Sequence, residues 1–340
     1  MATVSDKTGV PSKEVNAQHF SQRFCRRGKI MEDWKQDIKP CKLTPPDNKV
    51  GKRPLLSIIV PTVDRSNEFT RFLESLIKQE ADLSLIELII VDQNKDSRIS
   101  EIIRPLRSIK IIYLKIEKIS LSYAKNLSIQ KINGLFCCYL DDDCWLQQNA
   151  LNVLLSQLQL LNPFEGLLMK AITPDGKLLV PGKLRSGFTL NEKNLLEAFY
   201  APQISQVYPT SIVKELGGFN ENLGIGTKFG SAEDTDLLVR AIKNKTTFKY
   251  IENIKIFHPM FNNDSYSYRK KYHYGLGFGA LCRIHNFKGY FIVKILRSAT
   301  GFLLLLPFNR KNSFLHFFTF LGRIRGYYGS LCLLKKIKNA

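Results

Sequence analysis

Short apolar runs alternate with helix-like stretches between residues 55 and 161. Four of the runs are rich in aliphatic and β-branched residues, which is typical of buried strands. They are Leu55–Pro61, Leu85–Val91, Lys110–Leu114 and Leu135–Leu140. Between the strands, segments such as Glu68–Gln79 repeat apolar residues at helical spacing. This alternation predicts an α/β fold with a doubly wound, mostly parallel sheet and right-handed crossovers.

The pattern is less regular after the fourth strand. A helix is predicted over Asn149–Leu161, and Gly166–Ile172 followed by a Pro-Asp-Gly-Lys turn and Leu178–Val180 predicts a hairpin. Further helices are predicted at Ser211–Leu216 and Ala232–Lys243. Further strands are predicted at Ile204–Pro209, Phe248–Ile251 and Ile254–Phe257.

Composition divides the chain into three parts. Residues 1–52 are polar and contain a Thr-Pro-Pro-Asp-Asn-Lys stretch, which predicts an N-terminal extension or linker. Residues 53–262 carry the strand and helix pattern of the α/β domain. Residues 263–340 interleave Lys and Arg with Tyr, Phe and Leu, which is typical of amphipathic helices at a membrane surface. The alternative is an ordinary C-terminal helical lobe or a homodimer surface.

Charge is unevenly distributed along the chain. The net charge is +20, and residues 265–340 contain fourteen Lys and Arg but no Asp or Glu. A region of one sign predicts an anionic partner, such as phospholipid, a phosphorylated substrate or nucleic acid. Leu- and Phe-rich runs favour lipid over nucleic acid. A non-catalytic protein that binds anionic membrane or nucleic acid is therefore an alternative to an enzyme.

Two further features predict the compartment. The seven cysteines form no CxxC pair or zinc-like spacing, which suits a reducing environment. The N-terminus lacks an apolar signal region, and no stretch reaches the about 18 uncharged apolar residues of a spanning helix. We therefore expect a cytoplasmic protein that is peripheral on the inner face of the cell membrane.

Acidic residues recur where predicted strands end. Asp141, Asp142 and Asp143 follow the fourth strand directly, and Asp64 and Asp92 follow the first and second strands. Adjacent carboxylates repel one another unless a cation and a phosphate offset their charge. Because the carboxyl ends of parallel strands share one edge, the sequence predicts a nucleotide and metal site there. The alternatives are solvated turns and simple helix caps.

Five segments resemble, in their order, the motifs of family 2 glycosyltransferases of the GT-A fold, of the bacterial polysaccharide type. They are Ser57–Thr62, Glu87–Asp92, Leu121–Asn126, Tyr139–Asp143 and Gly217–Leu237. The resemblance covers about residues 55–260. It implies transfer of a sugar from a nucleotide-sugar, commonly a UDP-sugar, to a glycan or polyprenyl-diphosphate-linked saccharide in surface polysaccharide biosynthesis. A sugar nucleotidyltransferase is a further alternative, although Pro61-Thr-Val-Asp64 is not its Gly-rich loop.

The resemblance also implies which residues bind the donor. Pro61, Thr62 and Asp64 would line the nucleoside, and Asp92 would accept a hydrogen bond from the base. Lys125 would neutralise a phosphate, unless it is an exposed helix residue.

A divalent cation, Mn²⁺ or Mg²⁺, is the implied cofactor. Asp143 would be its main ligand and Asp141 the outer partner, while Asp142 would face ribose or metal-bound water. His258, which follows a β-rich run, would be a further ligand.

Glu233 and Asp234 match the acidic pair that the family carries at a helix start. Asp234 would be the general base that takes the proton of the acceptor hydroxyl, and Glu233 would orient base or acceptor. One carboxylate suffices for an inverting reaction, because no glycosyl-enzyme forms.

Overall fold

The computed structural model describes residues 53–182, 184–259 and 267–331. All of these belong to one compact unit. The predicted extension 1–52 lies outside the described residues, as do both ends of the predicted C-terminal region.

The described strands form one sheet in the order β3-β2-β1-β4-β8-β6-β9-β5, with β7 paired to β9. They are β1 Leu56–Thr62, β2 Ile86–Asp92, β3 Lys110–Lys115, β4 Phe136–Tyr139, β5 Trp145–Leu146, β6 Glu165–Ile172, β7 Thr189–Leu190, β8 Gln206–Pro209 and β9 Thr247–Phe257. The first four strands are parallel neighbours, as their alternation with helices predicts. Their carboxyl ends therefore share one rim of the sheet.

Helices cover both faces of the sheet. They are α1 Asn67–Ile77, α2 Arg98–Ile103, α3 Leu121–Ser128, α4 Ala150–Leu158, α5 Thr210–Glu215 and α6 Glu233–Lys243. Alternate residues of β1 point to opposite sides, so Ile58 joins the core under α1, α2 and α4, while Ile59 joins the core with α3, α5 and α6. Both cores are buried, and the doubly wound prediction is confirmed.

Tertiary pairing changes two details after β4. The predicted hairpin is short: an antiparallel bridge joins Ile172 and Leu178 across the predicted turn, and Leu179 N donates to the carbonyl of Ala171 at 3.0 Å. The longer partners of β6 are β8 and β9. The two strands predicted near residues 248 and 257 are one strand, β9, whose register against β6 shifts after Met169. A bulge takes up the polar residues that interrupt its sequence pattern.

The last pairing of the sheet joins two distant segments. β5 follows Asp141–Asp143, the aspartate triplet, and pairs antiparallel with the end of β9. In this pairing Trp145 lies opposite Phe257. The two rings stack at 5.5 Å between centroids. This pairing places the residue after Phe257 beside the triplet.

Three further helices form a C-terminal lobe: α7 Tyr268–Ile284, α8 Lys288–Leu305 and α9 Arg310–Gly329. Gly275 and Gly279 of α7 face the backbone of α9 so closely that a Cβ would not fit. The lobe packs on α6 through His285, whose Nε2 lies 2.9 Å from Asp236 Oδ1. No helix in the described ranges is long and apolar enough to cross a membrane.

Candidate active site

The loop after β1 lies along one side of the sheet rim where the parallel strands end. Pro61 and Thr62 are buried at the end of the strand, and the Thr62 hydroxyl donates to Asp142 Oδ2 at 2.8 Å. Asp64 takes a positive φ of 60° and is exposed, with Lys118 Nζ at 2.9 Å. Its N–H donates to Asn94 Oδ1 at 2.7 Å, which ties the loop to the end of β2.

Asp92 is fully buried at the end of β2. Its Oδ1 accepts from the backbone and side-chain nitrogens of Asn94, and its Oδ2 accepts from Tyr113 Oη at 2.6 Å and Lys115 Nζ at 2.8 Å. Four donors fill the acceptor positions of the carboxylate. The predicted contact with a nucleotide base stays a prediction, and it requires one of these donors to move.

Arg65 supplies the main positive charge beside the triplet. Its Nη1 lies 2.7 Å from Asp142 Oδ1 and 2.6 Å from Asp143 Oδ2. Burial raises the pKa of Asp142 to about 6 in spite of Arg65 and Thr62. Burial acts in the same direction on Asp143, but His258 and Arg65 outweigh it and hold the pKa of that carboxyl below its ordinary value. Sequence reasoning missed Arg65, although it directly follows a predicted site residue.

Asp141, Asp143 and His258 form a cluster that could hold a metal ion. One ligand atom from each lies within 4.8 Å of the others. His258 Nε2 is 3.2 Å from Asp143 Oδ1 and 3.7 Å from Asp141 Oδ2. Atoms that share one ion with bonds of about 2.0–2.3 Å lie at such separations. The three residues therefore fit a divalent cation.

The orientation of His258 suits a metal ligand. Its Nδ1 lies 2.9 Å from the carbonyl oxygen of Pro259. A carbonyl only accepts, so Nδ1 carries the proton and Nε2 can present its lone pair to the cluster. Burial alone would lower the pKa of His258, but Asp143 raises it above the ordinary value. The pairing of β5 with β9 puts this histidine at the triplet.

A second group of charges lies at the start of α6. Lys125 of α3 is buried, and its Nζ lies 3.1 Å from Glu233 Oε1 and 2.5 Å from Gln203 Oε1. The same ammonium lies 5.0 Å from the centre of the Phe219 ring. Lys125 is thus not an exposed helix residue, and it forms an ion pair with Glu233.

Asp234 lies next to this ion pair and is partly exposed. Burial, and then the charge of Glu233, raise its pKa to about 6, against the opposing effect of Lys125. No side chain in the described ranges caps α6 at Ala232, which takes a positive φ of 73°. Asp234 Oδ1 nevertheless accepts from the first-turn amide of Thr235 at 2.7 Å, so the alternative of helix capping stays open for this residue.

The two charge groups influence one another electrostatically. The surroundings of Asp141 raise its pKa by desolvation, and Lys125 and His258 oppose this effect. Glu233 and Asp143 add repulsion. The structure therefore brings the predicted triplet, His258, Lys125 and Glu233 close enough for their charges to interact. Asp64 and Asp92 lie on the same rim but each pairs with its own lysine.

Comparison with known proteins identifies the sequence pattern. Residues 57–164 match the profile of the family described as "Glycosyl transferase family 2". Glycosyltransferase GlyA of Streptococcus pneumoniae is 25% identical over 105 residues, which are 30% of this chain and 15% of GlyA. The chain thus aligns with a small part of that relative's length.

Solved structures identify the fold. The mannosyltransferase PcManGT from Pyrobaculum calidifontis, in complex with GDP-Man and Mn²⁺, superposes with a TM-score of 0.58 at 12% identity, over 92% of this chain and 96% of that one. TarS from S. aureus in complex with UDP has a TM-score of 0.50 at 15% identity, over 83% and 91% of the two chains. The predicted GT-A fold is confirmed.

Proposed function

Because residues 57–164 match the family model of glycosyl transferase family 2, we propose that the chain transfers a sugar from a nucleotide-sugar donor and inverts the anomeric centre. The observation that carries the proposal is the joint placement of two charge groups at one rim of the sheet. The cluster Asp141, Asp143 and His258 suits the donor side, and Asp234 beside Glu233 suits the acceptor side.

Asp234 is the proposed general base. With a pKa of about 6 the carboxylate is ionised at neutral pH, yet it holds a proton more firmly than an ordinary Asp. A base whose pKa lies near the working pH is effective in proton transfer. Asp234 would accept the proton of the acceptor hydroxyl while that oxygen attacks the sugar opposite the leaving group. Lys125 fixes Glu233 and thereby limits the repulsion that Asp234 experiences.

The donor side must stabilise a departing nucleoside diphosphate. A divalent ion at Asp141, Asp143 and His258 would offset the phosphate charge as the bond to the sugar breaks. Arg65 contributes a permanent cation at the same place, 2.6 Å from Asp143. An imidazole ligand beside two carboxylates favours Mn²⁺ over Mg²⁺. UDP-sugars are the first donors to test, since the structure of TarS, which has a similar fold, was solved in complex with UDP.

The proposed acceptor is a glycan or a polyprenyl-diphosphate-linked saccharide in surface polysaccharide biosynthesis. The enzyme would work at the cytoplasmic face of the cell membrane. Supporting this, residues 265–340 carry fourteen cations and no acidic residue. A diphosphate-linked lipid is an anion with an apolar body, and it lies in the surface to which such a region is attracted.

Calorimetric titration of the purified chain with UDP, with and without Mn²⁺, tests the donor side. We expect Mn²⁺-dependent binding, and we expect Asp143→Ala to weaken it at least tenfold by removing a ligand. Glu80→Ala, an exposed carboxylate outside the site, is the matched control and should bind normally. Equal Mn²⁺-dependent affinity in Asp143→Ala and the control would refute the metal assignment.

Release of UDP from a panel of UDP-sugars tests the acceptor side. Asp234→Asn keeps the shape of the side chain but cannot take a proton, so it should bind UDP normally and lose transfer. Full transfer activity in Asp234→Asn would remove that residue from the mechanism.

A further inference from the structure

Helix α8 exposes an apolar stripe on the C-terminal lobe. Its members are 56–71% exposed although all are large aliphatic residues: Ile292, Val293, Leu296, Leu303 and Leu304. At 100° per residue they fall within one third of the helix circumference. Phe308, just beyond the helix end, is 87% exposed. Thr300 lies within the stripe and is also exposed, so the surface is mainly apolar. An exposed apolar surface of this kind marks an interaction site.

The opposite side of α8 is fixed to the lobe. Phe291 is buried and stacks on Tyr327 of α9 with 4.0 Å between ring centroids. Ser298 is buried, and the hydroxyl of Ser313 donates to the carbonyl of Phe302 at 2.6 Å. The apolar stripe therefore cannot turn inward without breaking this packing. It is presented outward by a rigid support.

Cations border the stripe. On the helical projection Lys288 lies beside Ile292 on one side and Arg297 lies beside Leu304 on the other, and both cations are exposed. Arg310 and Lys311 follow at the start of α9. The described residues 267–331 contain eleven Lys and Arg and no acidic residue. The charged side chains around the stripe in residues 267–331 are thus all positive.

We propose that this stripe is a docking surface for an anionic lipid bilayer. Charge complementarity selects this occupant, because a second copy of the same acid-free lobe would bring like charges together, whereas anionic headgroups attract them. Aliphatic residues with flanking cations suit a helix that lies in the plane of the interface. The inference rests on the membrane location in the proposed function and assigns the surface that makes the contact, but its test is separate because binding to lipid requires no sugar transfer.

Sedimentation of the full chain with vesicles tests the proposal. The probes are vesicles of equal parts phosphatidylcholine and phosphatidylglycerol, and vesicles of phosphatidylcholine alone. We expect tighter binding to the anionic vesicles, and we expect Leu303→Glu with Leu304→Glu to weaken it at least tenfold. Removing two leucine side chains from the apolar part of the bilayer interface lowers the vesicle affinity by about tenfold or more.

A matched control separates apolar contact from net charge. Leu160→Glu with Phe164→Glu adds the same two negative charges at exposed apolar positions of the α/β domain, where Leu160 is 74% exposed. It should change vesicle affinity by no more than about threefold. A charge-free pair, Ile292→Ser with Leu296→Ser, should weaken binding as well. An unchanged circular dichroism spectrum and an unchanged urea unfolding midpoint in each variant show that the chain is folded, and they keep this test independent of the proposed function.

Three results would overturn the proposal. The first is equal loss of vesicle binding in the stripe variant and in the α/β-domain control. The second is a native dimer that dissociates in the stripe variant while vesicle affinity stays unchanged, which would make the stripe a self-association surface. The third is tighter binding to single-stranded oligonucleotide than to anionic vesicles, with no effect of either stripe variant.

Discussion

Asp234→Asn should make the protein more stable at neutral pH while it abolishes transfer. In the native protein, burial disfavours the charged form of the Asp234 side chain. The negative charge of Glu233 adds to this effect. Asn keeps the side-chain oxygen that accepts from Thr235 N at 2.7 Å. The substitution therefore removes an unfavourable charge and spares the local hydrogen bond.

The magnitude follows from the pKa of Asp234. A rise from 3.8 to about 6, at about 1.4 kcal/mol per pH unit, corresponds to about 3 kcal/mol. Because the side chain is partly exposed and solvent screens it, we expect a gain of about 2 kcal/mol. The folded protein binds this proton more tightly than the unfolded chain, so native stability is lost as pH rises through this range. The gain in Asp234→Asn should thus be small near pH 4 and reach its full size above about pH 6.

Urea denaturation of the metal-free protein across this pH range measures the effect. The free energy of unfolding of Asp234→Asn minus that of the native chain should grow with pH and then level off. Glu80→Gln, which changes an exposed carboxylate, should give a difference that stays within about 0.5 kcal/mol. The reasoning is refuted if Asp234→Asn is no more stable than the native protein at pH 8, or if the difference does not depend on pH.

Lys125→Met should lower the free energy of unfolding by about 3 kcal/mol, because Glu233 stays buried without its cation; Lys125→Arg, which keeps the charge, is the control in the same urea titration. The same Lys125→Met change should move the acid limb of the pH–rate profile to higher pH, because Lys125 lowers the pKa of Asp234; an unmoved limb would contradict this. Gly277→Ala should destabilise by about 2 kcal/mol in thermal unfolding, because its Cβ would collide with the side chain and backbone of Ser231. Gly289→Ala, where a Cβ meets nothing within 4 Å, should be neutral or stabilising by up to about 1 kcal/mol, and an equal loss in both variants would argue against the packing explanation.

The aspartate triplet illustrates what local pattern can predict. A buried strand followed by polar residues is a local signal, and parallel strands must end at a common rim. The sequence therefore places Asp92 and the triplet at one edge, and the structure has them there. The roles that the resemblance assigns to these residues stay predictions, to be tested by the variants above.

Arg65 and Lys125 illustrate where local pattern ends. In a sequence, a cation after a strand resembles any exposed surface residue. Only the packed structure shows that Arg65 forms ion pairs with Asp142 and Asp143. Lys125 has the sequence context of an exposed helix residue, yet the start of α6 packs over it and makes Glu233 its partner. These contacts join segments far apart in the chain, so no spacing encodes them.

By itself the sequence determined the α/β alternation, the strand ends that carry the acidic residues, and the excess of positive charge after residue 264. These depend on side-chain period and composition, which are properties of neighbouring residues. Only the tertiary structure decided that β8 enters the sheet antiparallel, that β5 pairs with β9 and brings His258 to the triplet, and that α8 turns an apolar stripe outward. Strand pairing and helix orientation are set by which distant surfaces bury one another best, and that free energy exists only once the whole chain is packed.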